Sequence, residues 1–215
     1  HTLDVGHNQL TSLPASLHNL SNLAHFLYLH NNRLTALSPS LFTNMPRLRY
    51  LNITDNQLTE LPESIGDLTD LRELRLYNNS LRSLPEALGN LTNLQELHVM
   101  NNQLTTLPET VGQLKNLKEL SLTQNRLQKL PASLGNLTRL THLDLRNNRL
   151  SALPASLSGM RSLMKLDIRA NKLLSLPESI SDLEKLAKLD LRWNKISTQS
   201  PWMQRLEQQG CTVLL

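Results

Sequence analysis

The sequence predicts an α/β solenoid, a chain wound into successive coils around one elongated core. Two recurring features indicate this fold. An asparagine returns after 24 residues twice and after 23 residues from then on, at Asn8, Asn32, Asn56, Asn79, Asn102, Asn125, Asn148, Asn171 and Asn194. Between these asparagines a Leu-Pro pair recurs, with its proline at Pro14, Pro62, Pro85, Pro108, Pro131, Pro154 and Pro177. A fixed period of this length indicates nine stacked coils, each of which contacts only its neighbours.

Each coil carries the phrase L-x-x-L-x-L-x-x-N, whose positions are numbered one to nine. In "LKELSLTQN" the alternation of Leu120 and Leu122 predicts a short strand with one buried face. The asparagine is expected to turn inward, because its amide can then bond the backbone of neighbouring coils and be tolerated as a buried polar group. The proline is expected to stop the strand and to fix the return path. Stacking then predicts a right-handed solenoid with a parallel sheet along its concave side.

These phrases resemble the leucine-rich repeat family along the whole chain, in nine units of which the first is incomplete. The wording "LPESIGDLTDL" (61–71) is similar to the 23-residue intracellular class, which includes bacterial proteins and the plant intracellular Ras-group-related repeat proteins. In the third coil "LSPSLFTNMPRL" (37–48) is similar to the 24-residue variety, in which a phenylalanine, here Phe42, plugs the convex side. The resemblance implies a horseshoe with a concave sheet and short helical or irregular convex segments.

The array is expected to occupy residues 1–198, followed by a C-terminal cap at residues 199–215 that covers the last coil. In "SPWMQRLEQQG" the predicted helix has Ser200 as its N-cap, Pro201 at its first position and Gly210 as its stop. Its apolar stripe is predicted to consist of Trp202, Met203 and Leu206. The closing "CTVLL" predicts a final strand. The chain begins inside a strand without such a lid, so we expect further residues upstream.

Composition argues against several functions. The net charge of +4 is mild and its charges are interspersed, so no basic tract for nucleic acid or an anionic membrane is present. No transmembrane run or signal peptide occurs in the sequence. The single cysteine, Cys211, is expected to be a packing residue, and its lack of a disulfide partner favours an intracellular, cytoplasmic setting.

No nucleotide-binding, hydrolase or metal motif occurs, so we expect no catalytic residue, no cofactor and no metal site. His7 and His30 fall on adjacent coils and could be imagined as metal ligands. We expect them to be solvated instead, because two ligands are too few for a protein metal site.

Specificity is expected at positions three, five, seven and eight, which share the concave face. Counting back from Asn32 in "LAHFLYLHNN" places Leu27 and Leu29 in the core, and therefore Phe26 and Tyr28 on that face. Five of the chain's seven aromatic residues occupy the four positions, mostly in coils two to four. This clustering predicts a partner surface, although aromatic residues also favour strands in general.

The predicted partner-binding residues are Phe26, Tyr28, His30, Tyr50, Glu73, Tyr77, Glu96, His98, Met100, Arg146, Arg169, Arg192 and Trp193. Two interpretations remain open for the charge ladder, in which Asp144, Asp167 and Asp190 stack beside Arg146, Arg169 and Arg192. The ladder is either a self-neutralising lattice or a docking strip for a charged partner. The negative charges of the glutamates at position three of coils four to six are less well balanced by neighbouring basic residues, and a basic group of a partner could neutralise them.

The leading hypothesis is a non-enzymatic module, favoured as a monomer, that grips a protein or peptide with its concave face. The family resemblance also implies a runner-up, the substrate-targeting arm of a larger bacterial enzyme such as a kinase or a ubiquitin-ligase effector delivered into a host cell. A designed array without a partner is disfavoured by the two 24-residue coils and the irregular concave positions. A secreted receptor ectodomain ranks last, because paired-cysteine caps are absent.

Overall fold

A computed structural model describes residues 1–196 and 201–215, and in these ranges ten strands form one parallel sheet in chain order. The strands are β1 (Thr2–Asp4), β2 (Phe26–Tyr28), β3 (Tyr50–Asn52), β4 (Glu73–Arg75), β5 (Glu96–His98), β6 (Glu119–Ser121), β7 (His142–Asp144), β8 (Lys165–Asp167), β9 (Lys188–Asp190) and β10 (Thr212–Leu214). Equivalent residues of successive coils pair, as Leu51 does with Leu74. The sheet is open, and the predicted α/β solenoid is confirmed.

The return segments contain short 3₁₀ helices opposite the sheet. In the described ranges these are Ala15–Asn19, Glu63–Asp67, Glu86–Asn90, Glu109–Gln113, Ala132–Asn136, Ala155–Gly159 and Glu178–Asp182. A proline immediately precedes each helix, for example Pro62 with φ −70°, where its fixed φ suits entry into a helix. The expectation that proline stops the strand was wrong: β3 ends at Asn52, well before Pro62. The proline sets the return path only.

Each of the strands β1 to β9 is instead followed, three residues after its end, by one residue in the left-handed conformation, at position eight. These residues have φ between 51° and 62° and are His7, Asn31, Asp55, Asn78, Asn101, Gln124, Asn147, Ala170 and Trp193. Most are asparagine or aspartate, the non-glycine residues that tolerate this conformation best. The turn ends the strand and directs the following asparagine inward. Sequence reasoning missed it, although the "NN" doublets of four coils carried the signal.

The core is a continuous column of leucines shared by neighbouring coils. Leu27 and Leu74 at the strand centres are fully buried, and so is Phe42, which confirms that a phenylalanine fills the core in the return segment between β2 and β3. That segment runs through turns rather than through a 3₁₀ helix. In the first coil Leu3 and Val5 are only partly buried, because no coil covers them on their outer side in the described chain.

The buried asparagines bond the coil that precedes them. Asn102 accepts a hydrogen bond from the backbone N–H of Leu81 at 3.0 Å and donates to the carbonyl oxygen of Leu76 at 3.0 Å. It also donates to the carbonyl oxygen of Met100 in its own coil at 3.1 Å. This confirms the expectation that a buried amide becomes tolerable once neighbouring coils satisfy it.

At the C-terminus, helix α1 (Pro201–Gln208) precedes strand β10. Trp202, Met203 and Leu206 are buried against the last coil, as the stripe predicted. Gly210 has φ +87°, a value that favours glycine. Ser200 lies outside the described residues, so its capping role stays a prediction, as do the domain bounds. In residues 1–196 and 201–215 no helix is long and apolar enough to cross a bilayer.

Candidate recognition surface on the concave face

Positions three and five are the first and last residues of strands β1 to β9, and their side chains lie on the concave face, on either side of the inward-facing leucine at position four. The burial of the side chains in coil two shows which residues of this strand face the core and which face the concave surface. Phe26 is 42% exposed, whereas Leu27 and Leu29 are fully buried. The backward count from Asn32 is therefore confirmed, and the aromatic residues of this coil point out of the core.

Three rings contact one another on this face and are called the aromatic cluster: Phe26, Tyr28 and Tyr50. The ring centroids of Phe26 and Tyr28 are 6.0 Å apart, those of Phe26 and Tyr50 are 5.6 Å apart, and those of Tyr28 and Tyr50 are 5.2 Å apart. Pairing of β2 with β3 places Phe26 directly beside Tyr50. These separations suit favourable aromatic pairs, so the cluster is a pre-formed apolar platform.

Histidines extend the cluster toward the first coil. The His30 ring lies 5.9 Å from the Tyr28 ring and edge-on to the His7 ring at 4.7 Å. Gly6 makes room for His30, because a Cβ atom there would lie 2.5 Å from the His30 Cε1 atom. His7 and His30 thus contact each other edge to face, and the structure brings no third metal donor into their group among the described residues.

On its other side the cluster meets the charged middle of the sheet. The Arg75 guanidinium lies 5.5 Å from the centroid of the Tyr50 ring, and its Nε atom is 2.5 Å from Glu73 Oε1. Burial raises the pKa of the Tyr50 phenol, although the charge of Arg75 opposes this. Tyr77 lies outside the network of contacting rings in the described chain.

The middle coils place Glu73, Glu96 and His98 close together, with one ligand atom of each within 4.8 Å of the others. His98 Nε2 is 3.2 Å from Glu96 Oε2. A cation could contact all three, yet half-exposed acidic groups of this kind are common without one, and we assign no metal here. Met100 is half-buried beside them.

The charge ladder forms three tight ion pairs. In coils seven to nine an arginine Nη2 atom lies 2.6–2.7 Å from the aspartate two residues before it. The coils are also linked, since Arg146 Nε lies 3.6 Å from Asp167 and Arg169 Nε lies 3.4 Å from Asp190. Every aspartate has its own arginine, which favours the self-neutralising lattice. A role of these arginines in partner binding stays a prediction.

The charge ladder ends beside Trp193, whose ring centroid lies 6.0 Å from the Arg169 guanidinium and 5.8 Å from the Arg192 guanidinium. Asp190, the ion-pair partner of Arg192, is nearly fully buried. Burial disfavours its ionised form, but hydrogen bonds from Arg192 and the charges of Arg169 and Arg192 outweigh this and hold the Asp190 pKa below its usual value.

Comparison with protein families gave two matches. A model described as "Leucine-rich repeat region" matches residues 37–126 and 111–209, and one described as "Leucine Rich Repeat" matches residues 25–45. A comparison with curated protein sequences gave no match.

Solved structures gave many matches. A repeat protein from Leptospira interrogans is 29% identical over 99% of this chain, with a TM-score of 0.80. The repeat domain of the type III effector XopL is 29% identical over 100% of this chain and 75% of its own, with a TM-score of 0.85. The ectodomain of the receptor kinase GASSHO1/SCHENGEN3 from Arabidopsis thaliana, solved with CASPARIAN STRIP INTEGRITY FACTOR 2, is 32% identical over 94% of this chain, with a TM-score of 0.81. The chain spans 65% of the Leptospira protein and 25% of the plant ectodomain.

Proposed function

Because the chain belongs to the leucine-rich repeat family, whose fold generally serves as a recognition scaffold, we propose that it is a non-enzymatic module that binds a protein or peptide partner on its concave face. The observation that carries the proposal is the aromatic cluster. Large rings dominate interface energetics, and here three of them are pre-assembled on one exposed surface. A pre-formed platform loses little conformational freedom when a partner binds.

The alternative explanation of the rings is that they only stabilise the sheet. The exposure of Phe26 speaks against this, because a ring that is 42% exposed leaves much of its apolar area in contact with water. A partner that covers the cluster would remove this area from water. The plant ectodomain, which was solved in complex with a partner, supports the general idea that a surface of this type binds polypeptides.

The test is selection of a displayed random-peptide library on the purified protein, followed by binding measurements with synthetic versions of the enriched peptides. The triple variant Phe26→Ala, Tyr28→Ala, Tyr50→Ala is expected to lose at least tenfold in affinity, because truncation of central aromatic anchors removes the contacts that dominate binding. The control is Leu174→Ala, which truncates a 65% exposed residue outside the sheet. Circular dichroism verifies folding. Equal affinity of the triple variant and the wild-type protein would contradict the proposal.

A second candidate function is the substrate-targeting arm of a larger bacterial enzyme, acting inside a cell. The match to the effector repeat domain, which covers 100% of this chain and 75% of that domain, favours it, and the single buried cysteine suits a reducing compartment. Determination of the complete reading frame tests it: a catalytic domain joined to the array is the expected result, and an array with only short flanks would eliminate the idea. In either role we expect a monomer without a cofactor.

A further inference from the structure

The first residues of strands β2 to β9 form one line across the concave face, and the chemistry of this line changes in an ordered way. Strand pairing sets its members side by side in the order Phe26, Tyr50, Glu73, Glu96, Glu119, His142, Lys165 and Lys188. The line therefore begins with rings, continues with carboxylates and ends with amines. We call it the first-residue line.

Most other charges on this face are already neutralised inside the molecule. The aspartates of the charge ladder are held by their arginines at 2.6–2.7 Å, and Glu73 is held by Arg75 at 2.5 Å. In the first-residue line the ion-pair partner of Glu96 among the described residues is His98 alone, and the Glu96 side chain stays 44% exposed. Glu119, Lys165 and Lys188 make no ion pair in the described part of the chain.

The uncompensated charges are thus acidic beside the aromatic cluster and basic at the far end. Resting on the proposed function, we propose that the partner is an extended peptide laid across the strands, with an aromatic or large apolar residue over the cluster, basic residues over Glu96 and Glu119, and acidic residues over Lys165 and Lys188. Opposite charges at these places attract the peptide, and the reversed order sets like charges against each other.

The spacing of these peptide residues follows from the sheet. Neighbouring strands are about 4.8 Å apart, and an extended chain advances about 3.3 Å per residue. Glu96 lies two strands beyond Tyr50, a distance that about three peptide residues cover. Glu119 lies three strands beyond Tyr50, a distance that about four peptide residues cover. Lys165 and Lys188 correspond to about seven and nine residues. A peptide of about ten residues spans the whole line.

The experiment uses labelled synthetic decapeptides of identical composition and measures affinity by fluorescence anisotropy. One peptide has an aromatic end, a basic middle and an acidic far end, and a second exchanges its basic and acidic blocks. Both are made in both chain directions, because the charges do not fix the direction. The first arrangement is expected to bind about tenfold more tightly in at least one direction, and this preference should shrink at high salt.

A charge-swap variant makes the test specific. The double substitution Glu96→Lys, Glu119→Lys is expected to abolish the preference for the basic middle or to reverse it, while the control Glu184→Lys, on an exposed residue outside the sheet, leaves it unchanged. Equal binding of the two charge orders by the wild-type protein, or an unchanged preference in the double variant, overturns the inference. If peptides still bind through the aromatic cluster in that case, the proposed function stands without the charge order. If neither library peptides nor decapeptides depend on the cluster, the proposed function fails as well.

Discussion

Replacement of one buried asparagine tests the view that these amides hold the coils together. Asn125 lies in the middle of the array and is 7% exposed. Its Oδ1 atom accepts a hydrogen bond from the Leu104 N–H at 3.0 Å, and its Nδ2 atom donates to the Val99 carbonyl at 2.9 Å and to the Leu122 carbonyl at 3.1 Å. The Nδ2 atom also donates to the Thr123 carbonyl at 3.4 Å, and substitution by alanine removes all four bonds.

The expected cost depends on which partners stay bonded. The Leu122 carbonyl keeps a bond from Asn148 at 2.9 Å, and the Val99 carbonyl keeps a weak one from Asn102 at 3.3 Å. The Leu104 N–H has no replacement acceptor in the described chain and becomes a buried, unsatisfied donor. Such a donor costs about 1–3 kcal/mol, and the weakened Val99 carbonyl adds about 1 kcal/mol, so we expect Asn125→Ala to lower the free energy of unfolding by about 2–4 kcal/mol.

The assay is urea unfolding followed by circular dichroism, with equal m-values required for a valid comparison. Asn8→Ala is the matched control. Asn8 is exposed and donates only to Val5 and Gly6 of its own coil, so its removal should cost less than about 1 kcal/mol. If the two substitutions cost the same, the bonds between coils do not supply the stability, and the reasoning is refuted.

Three further predictions concern single residues. Ala170→Asn should raise the free energy of unfolding, measured by urea titration, by about 0.5–1.5 kcal/mol. Asparagine tolerates the left-handed φ of 52° at this position, and its side chain can bond Asn147 as Asn101 bonds Asn78. A loss of stability would contradict this. The Asp190 pKa is held below 3.8, so the contribution of the ionised carboxylate to stability is complete above pH 3.8 and is lost as the pH falls through the folded-state pKa. The difference in unfolding free energy between the wild-type protein and Asp190→Asn should therefore shrink in acid. A difference that does not change with pH would count against this. Burial raises the pKa of the Cys211 thiol, so alkylation of the folded protein near pH 8 should be far slower than that of the urea-unfolded chain, and equal rates would show that the thiol is accessible.

The fold and the face of the sheet on which each side chain lies could be predicted from the sequence, because both follow from the positions of the leucines within each repeat. A one-residue slip would place Phe26 in the core and expose Leu27 and Leu29, and no alternative register buries the same leucines. This is why the concave position of Phe26 and Tyr28 followed from counting alone. The capping helix was equally accessible, since its apolar stripe and Gly210 are local signals.

The contacts among concave side chains could not be predicted in this way, because they depend on side-chain size in neighbouring coils. Tyr77 shares position seven with His30, and the sequence pattern grouped it with the other aromatic residues of coils two to four. The coil between them carries Thr54 at that position, too small to connect the two rings. The links from Arg146 to Asp167 and from Arg169 to Asp190 likewise depend on rotamers, which the repeat period does not contain.

The bonds made by the buried asparagines all run in one direction along the chain. Each amide reaches back to the coil before it, as Asn102 does to Leu81 and Asn125 does to Leu104. On the ribosome, where the N-terminal coils emerge first, a finished inner coil presents a free N–H group, such as that of Leu104, and a carbonyl that is only weakly bonded within its own coil, such as that of Val99. The asparagine of the next coil to emerge, here Asn125, bonds both groups. The array can therefore assemble in the order of its synthesis, and α1 with β10 completes the growing end.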